Sequence, residues 1–129
     1  MDKSFSKSWI SSKKPRKQRK YILNAPQHIK SKMFSSHLSK ELRAKHGKRS
    51  MRPVKGDKVK IMRGKYKGQS GKIEKVDVND QRALISGIEF IKKDGNKVMY
   101  PIHVSNLTIT ELNLTDKKRK AIVERKTKK

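Results

Sequence analysis

Residues 56–72, GDKVKIMRGKYKGQSGK, decide how the rest of the chain is read. Val59 and Ile61 alternate with Lys58 and Lys60, the two-residue period of a strand with one buried face and one wet face. Three glycines follow, Gly64, Gly68 and Gly71, spaced among Arg63, Lys65, Lys67 and Lys72 and a single aromatic ring, Tyr66. Glycine permits positive φ and lets another backbone come close. Bare backbone, several cations and one ring suit a loop that follows phosphates and covers an unpaired base. The same composition also describes a tight turn with a solvated lysine face. Taken alone, the loop leaves both readings open.

Downstream of the loop, Ile73, Val76 and Val78 mark a second strand, and the 73-to-76 step breaks alternation, which predicts a bulge. Asn79 and Asp80 turn the chain, and residues 82–85 open a third strand toward Gly87 and Ile88. The run KKDGN at 92–96 predicts a hairpin, because Asp-Gly supplies the positive φ that such turns need. Val98, Tyr100 and Ile102 alternate after it, which places Tyr100 in the core, and Leu107, Ile109 and Leu112 mark a last strand. The fold class expected is mainly β: a small, closed barrel of about five strands that leaves few edges exposed.

Upstream, residues 39–45 predict a short helix with Ser39 as N-cap and Gly47 as stop, and residues 26–33 predict another with Pro26 in its first turn. Residues 1–20 are expected to be extended or disordered until bound. The tail is expected to be helical from Thr115 but too poor in apolar residues to dock firmly. The chain thus divides into a basic N-terminal extension with short helices (1–52), a barrel (53–114) and a basic tail (115–129).

The charge follows the same division. The 129 residues carry 36 Lys plus Arg against 11 Asp plus Glu, a net charge of +25. Residues 1–52 hold 16 cations and 2 carboxylates, residues 53–114 hold 12 and 7, and residues 115–129 hold 8 and 2. Self-repulsion of this size works against an isolated compact state and points to a polyanionic partner. The absence of cysteine excludes disulfides, cysteine-ligated zinc, iron–sulfur clusters and thiol nucleophiles. Apolar runs reach only three residues, too short to span a bilayer. The basic start lacks the apolar segment of a secretory signal, although its serine-rich character leaves a transit peptide open.

Other chemistries find little support. His28, His37 and His46 are spaced nine apart, with His103 far downstream, but no cysteine joins them and the spacing is not that of a known metal site. Contact with RNA or simple exposure is the expectation, and no cofactor is implied. Ser35 and Ser36 beside His37 have no carboxylate to orient a base. The glycine loop lacks the Ser or Thr after Lys72, and the strand–loop–helix setting, of a nucleotide-binding loop. An enzyme is therefore not expected. Scattered carboxylates such as Asp57 and Asp80 are expected to serve turns, caps and solubility, and Trp9 and Phe5 to pack or lie free rather than stack on bases.

Residues 56–88 resemble a KOW motif, the strand–loop–strand unit of SH3-like barrels in ribosomal and transcription-elongation proteins. NAPQHI (24–29), LSKELR (38–43) and RSM (49–51) precede it, and PIHVSNL (101–107) and DKKRK (116–120) follow. In that order, over roughly residues 20–125, these blocks resemble the archaeal and eukaryotic branch of the universal large-subunit ribosomal protein numbered twenty-four in bacteria and twenty-six in eukaryotes. The resemblance implies an SH3-like barrel and a structural constituent of the large ribosomal subunit in the cytoplasm. It also implies binding to the 5′ domain of large-subunit rRNA near the polypeptide exit tunnel, a part in early assembly, and neighbouring large-subunit proteins as partners. No membrane and no homo-oligomer are implied. By motif match it assigns RNA binding to Arg63, Lys65, Tyr66, Lys67 and Lys72 in the loop. In the N-terminal zone it adds Arg16, Arg19, Lys20 and His28, and then Lys30, Lys32, Arg43 and Arg49. A KOW-bearing transcription or RNA-processing factor is the alternative, and a DNA-compacting basic protein a third.

Overall fold

The computed structural model describes residues 5–6 and 12–125. Trp9 and the last four residues of the tail lie outside them. Pro15 opens α1 (Pro15–Asn24), where its missing N–H costs nothing, and the chain turns through the buried Ala25 into α2 (Gln27–Met33). Of the first twenty residues, expected to be extended or disordered until bound, those from Pro15 onward are therefore helical. Phe5 packs its ring on Tyr21 of α1 at a centroid separation of 4.9 Å. After β1 (Ser36–Leu38), the Ser39 hydroxyl accepts the Leu42 amide and starts α3 (Lys40–His46). Gly47 ends that helix at φ 60°, a left-handed cap that a Cβ would penalise.

The strands that follow are β2 (Ser50–Met51), β3 (Lys58–Ile61), β4 (Ser70–Asp77), β5 (Arg82–Ile91) and β6 (Lys97–His103). A 3₁₀ turn, Val104–Asn106, leads into β7 (Leu107–Glu111), and α4 (Lys117–Glu124) closes the chain. Together the strands form one sheet in the order β2-β1-β7-β3-β4-β5-β6. β3 is central to the first half, antiparallel to β4 (Val59 opposite Gly71) and to β7 (Val59 opposite Ile109). The expected bulge is present: β4 shifts register against β5 between Ile73 and Lys75.

The described residues form seven strands rather than about five. Ser36–Leu38 runs parallel to β7, and Ser50–Met51 pairs antiparallel with it in turn, so the N-terminal zone extends the sheet. Strands of three and two residues are too short to show alternation, which is why the sequence did not reveal them. The sheet is also open, with β2 and β6 at its two ends. The 3₁₀ turn carries the chain from the β6 end back to the middle of the sheet. There the Val104 amide donates to Gln81 O (3.0 Å) and the Met62 amide donates to Asn106 O (2.8 Å). Those bonds draw the two halves together over one core, in which Phe34, Leu38, Val59, Ile61, Ile85 and Leu107 are at most 1% exposed. Each such side chain contributes about 1.5–3 kcal/mol by leaving water.

The fold is mainly β as expected, and the open sheet is compatible with an SH3-like barrel. Two other expectations fail. Tyr100 is 43% exposed instead of buried. β6 is the last strand of the sheet, and a register shift in its pairing with β5 between Leu84 and Glu89 undoes the phase that alternation assumes. The tail does dock: α4 starts at Asp116, whose carboxylate accepts the Lys118 amide, and it buries Val123 (4% exposed) and Arg119 (6%). Burying Val123 stabilises the docked helix by about 1.5–3 kcal/mol, enough to hold a two-turn helix that charge alone would repel.

Candidate nucleic-acid interface

The loop between β3 and β4 is a fixed platform rather than a floppy link. Ile61 N donates to Gln69 O and Gly68 N to Ile61 O, both at 2.9 Å, and Lys67 N donates to Gly64 O at 3.1 Å. From this frame Arg63, Lys65 and Lys67 project as exposed side chains, whereas Lys72, read from the sequence as a loop cation, is exposed on β4 opposite Lys58. Gly71 serves a different purpose: a Cβ there would meet Ser86 O at 2.5 Å and the Ile85 side chain at 2.7 Å. Its bareness lets β4 and β5 close together, so this glycine belongs to the sheet, not to ligand contact.

Tyr66 is half-buried, and its hydroxyl donates to Glu89 O at 3.1 Å. Its ring lies 5.2 Å from Tyr100, which in turn meets Phe90 edge-on at 6.0 Å. Lys65 Nζ stands 5.7 Å from the Tyr66 centroid. The single ring read from the sequence is therefore one of three that form a row beside the cations. Tyr100 and Phe90 were missed because period-two alternation hid Tyr100 in the core and left Phe90 without a role.

The N-terminal cations fall into groups. Arg16, Arg19 and Lys20 are exposed on α1, and His28 and Lys32 are exposed on α2. Arg19 and half-buried Lys30 line a cleft of about 430 Å³ against the sheet, together with Arg82 and His103, which the sequence reading did not assign. Arg49 lines a neighbouring cleft of about 360 Å³ with His37. Arg43 is engaged within the chain: its Nε donates to Leu38 O (2.8 Å) and its Nη2 lies 3.4 Å from His37 Nδ1.

The one carboxylate within residues 56–72, Asp57, is withdrawn from the surface. It is fully buried and accepts both Nη atoms of Arg119 at 2.6 Å. Its oxygens also accept the Val54 amide (2.9 Å) and the Asn113 amide (2.8 Å), while Arg119 donates onward to the Asn113 and Arg52 carbonyls. Among the described residues no three His, Asp or Glu side chains are grouped to hold a metal ion, and no helix is long and apolar enough to cross a membrane. The arrangement offers donors and positive charge on rigid supports, which suits binding of a polyanion.

Comparison with known proteins gives consistent matches over most of the chain. The family model that describes the L26 ribosomal proteins of eukaryotes and the L24 ribosomal proteins of archaea matches residues 12–126. Large ribosomal subunit protein uL24 of Korarchaeum cryptofilum is 47% identical over 117 residues, covering 91% of this chain and 89% of the relative. The protein of the same name from Methanocella arvoryzae is 44% identical over 117 residues, covering 91% and 94%.

Proposed function

The chain belongs to the family of eukaryotic L26 and archaeal L24 ribosomal proteins, and from that premise we propose that it is a structural constituent of the large ribosomal subunit that holds large-subunit rRNA. The observation that carries the RNA-binding reading is the set of exposed cations Arg63, Lys65 and Lys67 on a β3–β4 loop fixed by its own backbone hydrogen bonds, with Lys72 exposed beside them on β4. A loop whose backbone is already fixed loses less ordering entropy when phosphates dock, and each phosphate neutralised releases condensed counterions. Arg16, Arg19, Lys20, His28 and Lys32 supply a second exposed basic surface on α1 and α2. Selectivity then comes from RNA shape and the 2′-hydroxyl, because the A-form major groove is too narrow for side chains.

In finer detail, the reading places the contact in the 5′ domain of the rRNA near the exit tunnel, engaged early in subunit assembly, with neighbouring large-subunit proteins as further partners in the cytoplasmic ribosome. The work is binding, not catalysis. Crosslinking in cells followed by sequencing of the attached RNA tests it: reads concentrated in the 5′ domain of large-subunit rRNA are expected, with co-sedimentation through a moderate salt wash. Recovery with RNA polymerase, and none with ribosomes, would replace this reading with that of a transcription factor.

A further inference from the structure

The clefts of about 430 and 360 Å³ share a wall made by Gln81 and His103. The first is bounded by α1 and α2 on one side and the β4–β5 turn on the other, and carries Arg19, Lys30 and Arg82 against one carboxylate, Asp80. Exposed Ile22 (38%) and Leu23 (69%) add an apolar surface beside those cations. The second holds Arg49, His37, Ser35 and Ser105. Basic side chains from three separate parts of the chain thus converge on one continuous depression.

We propose that this depression is a groove for an unpaired stretch of RNA, with phosphates held by Arg19, Lys30 and Arg82 and a splayed nucleotide lying between Leu23 and His103. The proposal rests on the reading of the chain as an rRNA-binding protein, but it commits to a site and to a form of RNA which that reading leaves open. A cleft of this size accepts one small-molecule-sized group, not a double helix. Apolar side chains next to cations match the two faces of a nucleotide, base and phosphate, where an acidic peptide would use only the charge.

The histidines fit as hydrogen-bond donors. His103 Nδ1 faces the Ser105 amide at 3.3 Å and the Ser105 hydroxyl at 2.8 Å. An amide can only donate, so Nδ1 accepts and Nε2 carries the proton. Arg43 likewise can only donate to His37 Nδ1, which leaves the Nε2–H of His37 available. Partial burial first, and Arg82 second, pull the His103 pKa below its ordinary value, which favours the neutral ring in the free chain.

The test titrates the isotope-labelled full chain with an eight-nucleotide RNA of mixed sequence that cannot pair, and follows the imidazole signals. His103 and His37 are expected to shift, and His46, which lines neither cleft, to stay. The double variant Arg82→Ala, His103→Gln is expected to bind this oligonucleotide about tenfold more weakly while keeping most of its affinity for intact large-subunit rRNA. If that variant is misfolded, Arg19→Ala with Lys30→Ala on the opposite wall tests the oligonucleotide arm alone, with a similar loss of affinity expected for the unpaired RNA. Oligonucleotide binding that leaves both histidines unmoved, or equal affinity in the variants, overturns the groove while rRNA binding stands. Failure of the unaltered chain to bind rRNA at near-physiological salt overturns the reading beneath it.

Discussion

The carboxylate of Asp57, just before β3, and the guanidinium of Arg119, in α4, meet through two contacts of 2.6 Å across sixty-two positions of sequence, with side chains 0% and 7% exposed. Both oxygens and both terminal nitrogens of the pair have additional backbone partners, and among the described residues no buried side-chain nitrogen or oxygen lacks a hydrogen-bond partner. In a buried pair the desolvation penalty and the Coulombic attraction largely offset each other, so the pair contributes little net stability beyond its hydrogen bonds. Its role is placement: Val123 supplies the burial that holds α4, and the fork of Arg119 fixes where the helix sits.

Breaking the pair from one side leaves the other charge buried and unpaired. Arg119→Met is expected to lower unfolding free energy by about 3–5 kcal/mol, and Asp57→Ala by a similar amount. The double substitution should cost less than the two losses added together, because neither charge is then stranded. Denaturant unfolding of the three variants measures this. A loss below about 1 kcal/mol for Arg119→Met would mean that α4 is not held through this contact.

Gly71 offers a second stability test. Its missing Cβ faces the Ser86 carbonyl at 2.5 Å, a backbone atom that cannot swing aside as a flexible side chain could. Gly71→Ala is expected to destabilise by about 1–3 kcal/mol, the usual cost of overpacking, and to weaken the β4–β5 ladder near the bulge. Amide exchange should rise at Lys72 and Ile73 before it rises in β3. An alanine variant as stable as the parent would show that the two strands can part at no cost.

These two contacts also show what the sequence could and could not reveal. Alternation in β3, the Asp-Gly hairpin, the Ser39 cap and the β4 bulge follow from local chemistry, and each lies where the sequence places it. The partnership of Asp57 and Arg119 depends on a fold that brings distant residues together, so Asp57 reads locally as a turn carboxylate and Arg119 as one more tail cation. The same holds for the interface: the loop cations are contiguous and legible, whereas Arg82 and His103 join Arg19 and Lys30 only through the packing of α1 and α2 against the sheet. Tyr100 was misplaced for the related reason that a register shift changes which face a residue occupies.

Two histidines give the stability a pH dependence whose sign is determined. His103 is pulled below the ordinary value of 6.5 by burial and then by Arg82, and His46 by burial and then by Lys45 and Lys48. Each takes up a proton in the unfolded chain at a higher pH than in the folded one, so the unfolded state binds more protons in the window just below 6.5. Stability from this source is complete above that value and declines as the pH drops through the window. The thermal midpoint is expected to fall between about pH 7 and pH 5, and to fall less steeply in the double variant His46→Gln, His103→Gln. Parallel curves for parent and variant would place the acid sensitivity in other groups.

Salt dependence separates cations that touch phosphate from those that do not. On RNA, each phosphate contact should contribute a slope of roughly −0.7 to −0.9 in log K against log salt, the values for single strands and B-form duplexes. Lys67 is exposed on the fixed loop, and Lys65 is exposed beside the Tyr66 ring. Lys65→Ala with Lys67→Ala is therefore expected to lower the magnitude of the slope by about 1.4 to 1.8 units, if both reach phosphate, and by about half that if Lys65 stays with the ring. Lys58 makes the internal comparison, because its Nζ is paired with the Glu111 carboxylate at 2.9 Å and its charge is already compensated. Lys58→Ala should leave the slope nearly unchanged. The measurement is rRNA affinity across a salt series for the parent and both variants. A slope indifferent to the loop lysines, or one that responds more to Lys58, would move the phosphate contacts away from the β3–β4 loop and onto another face of the protein.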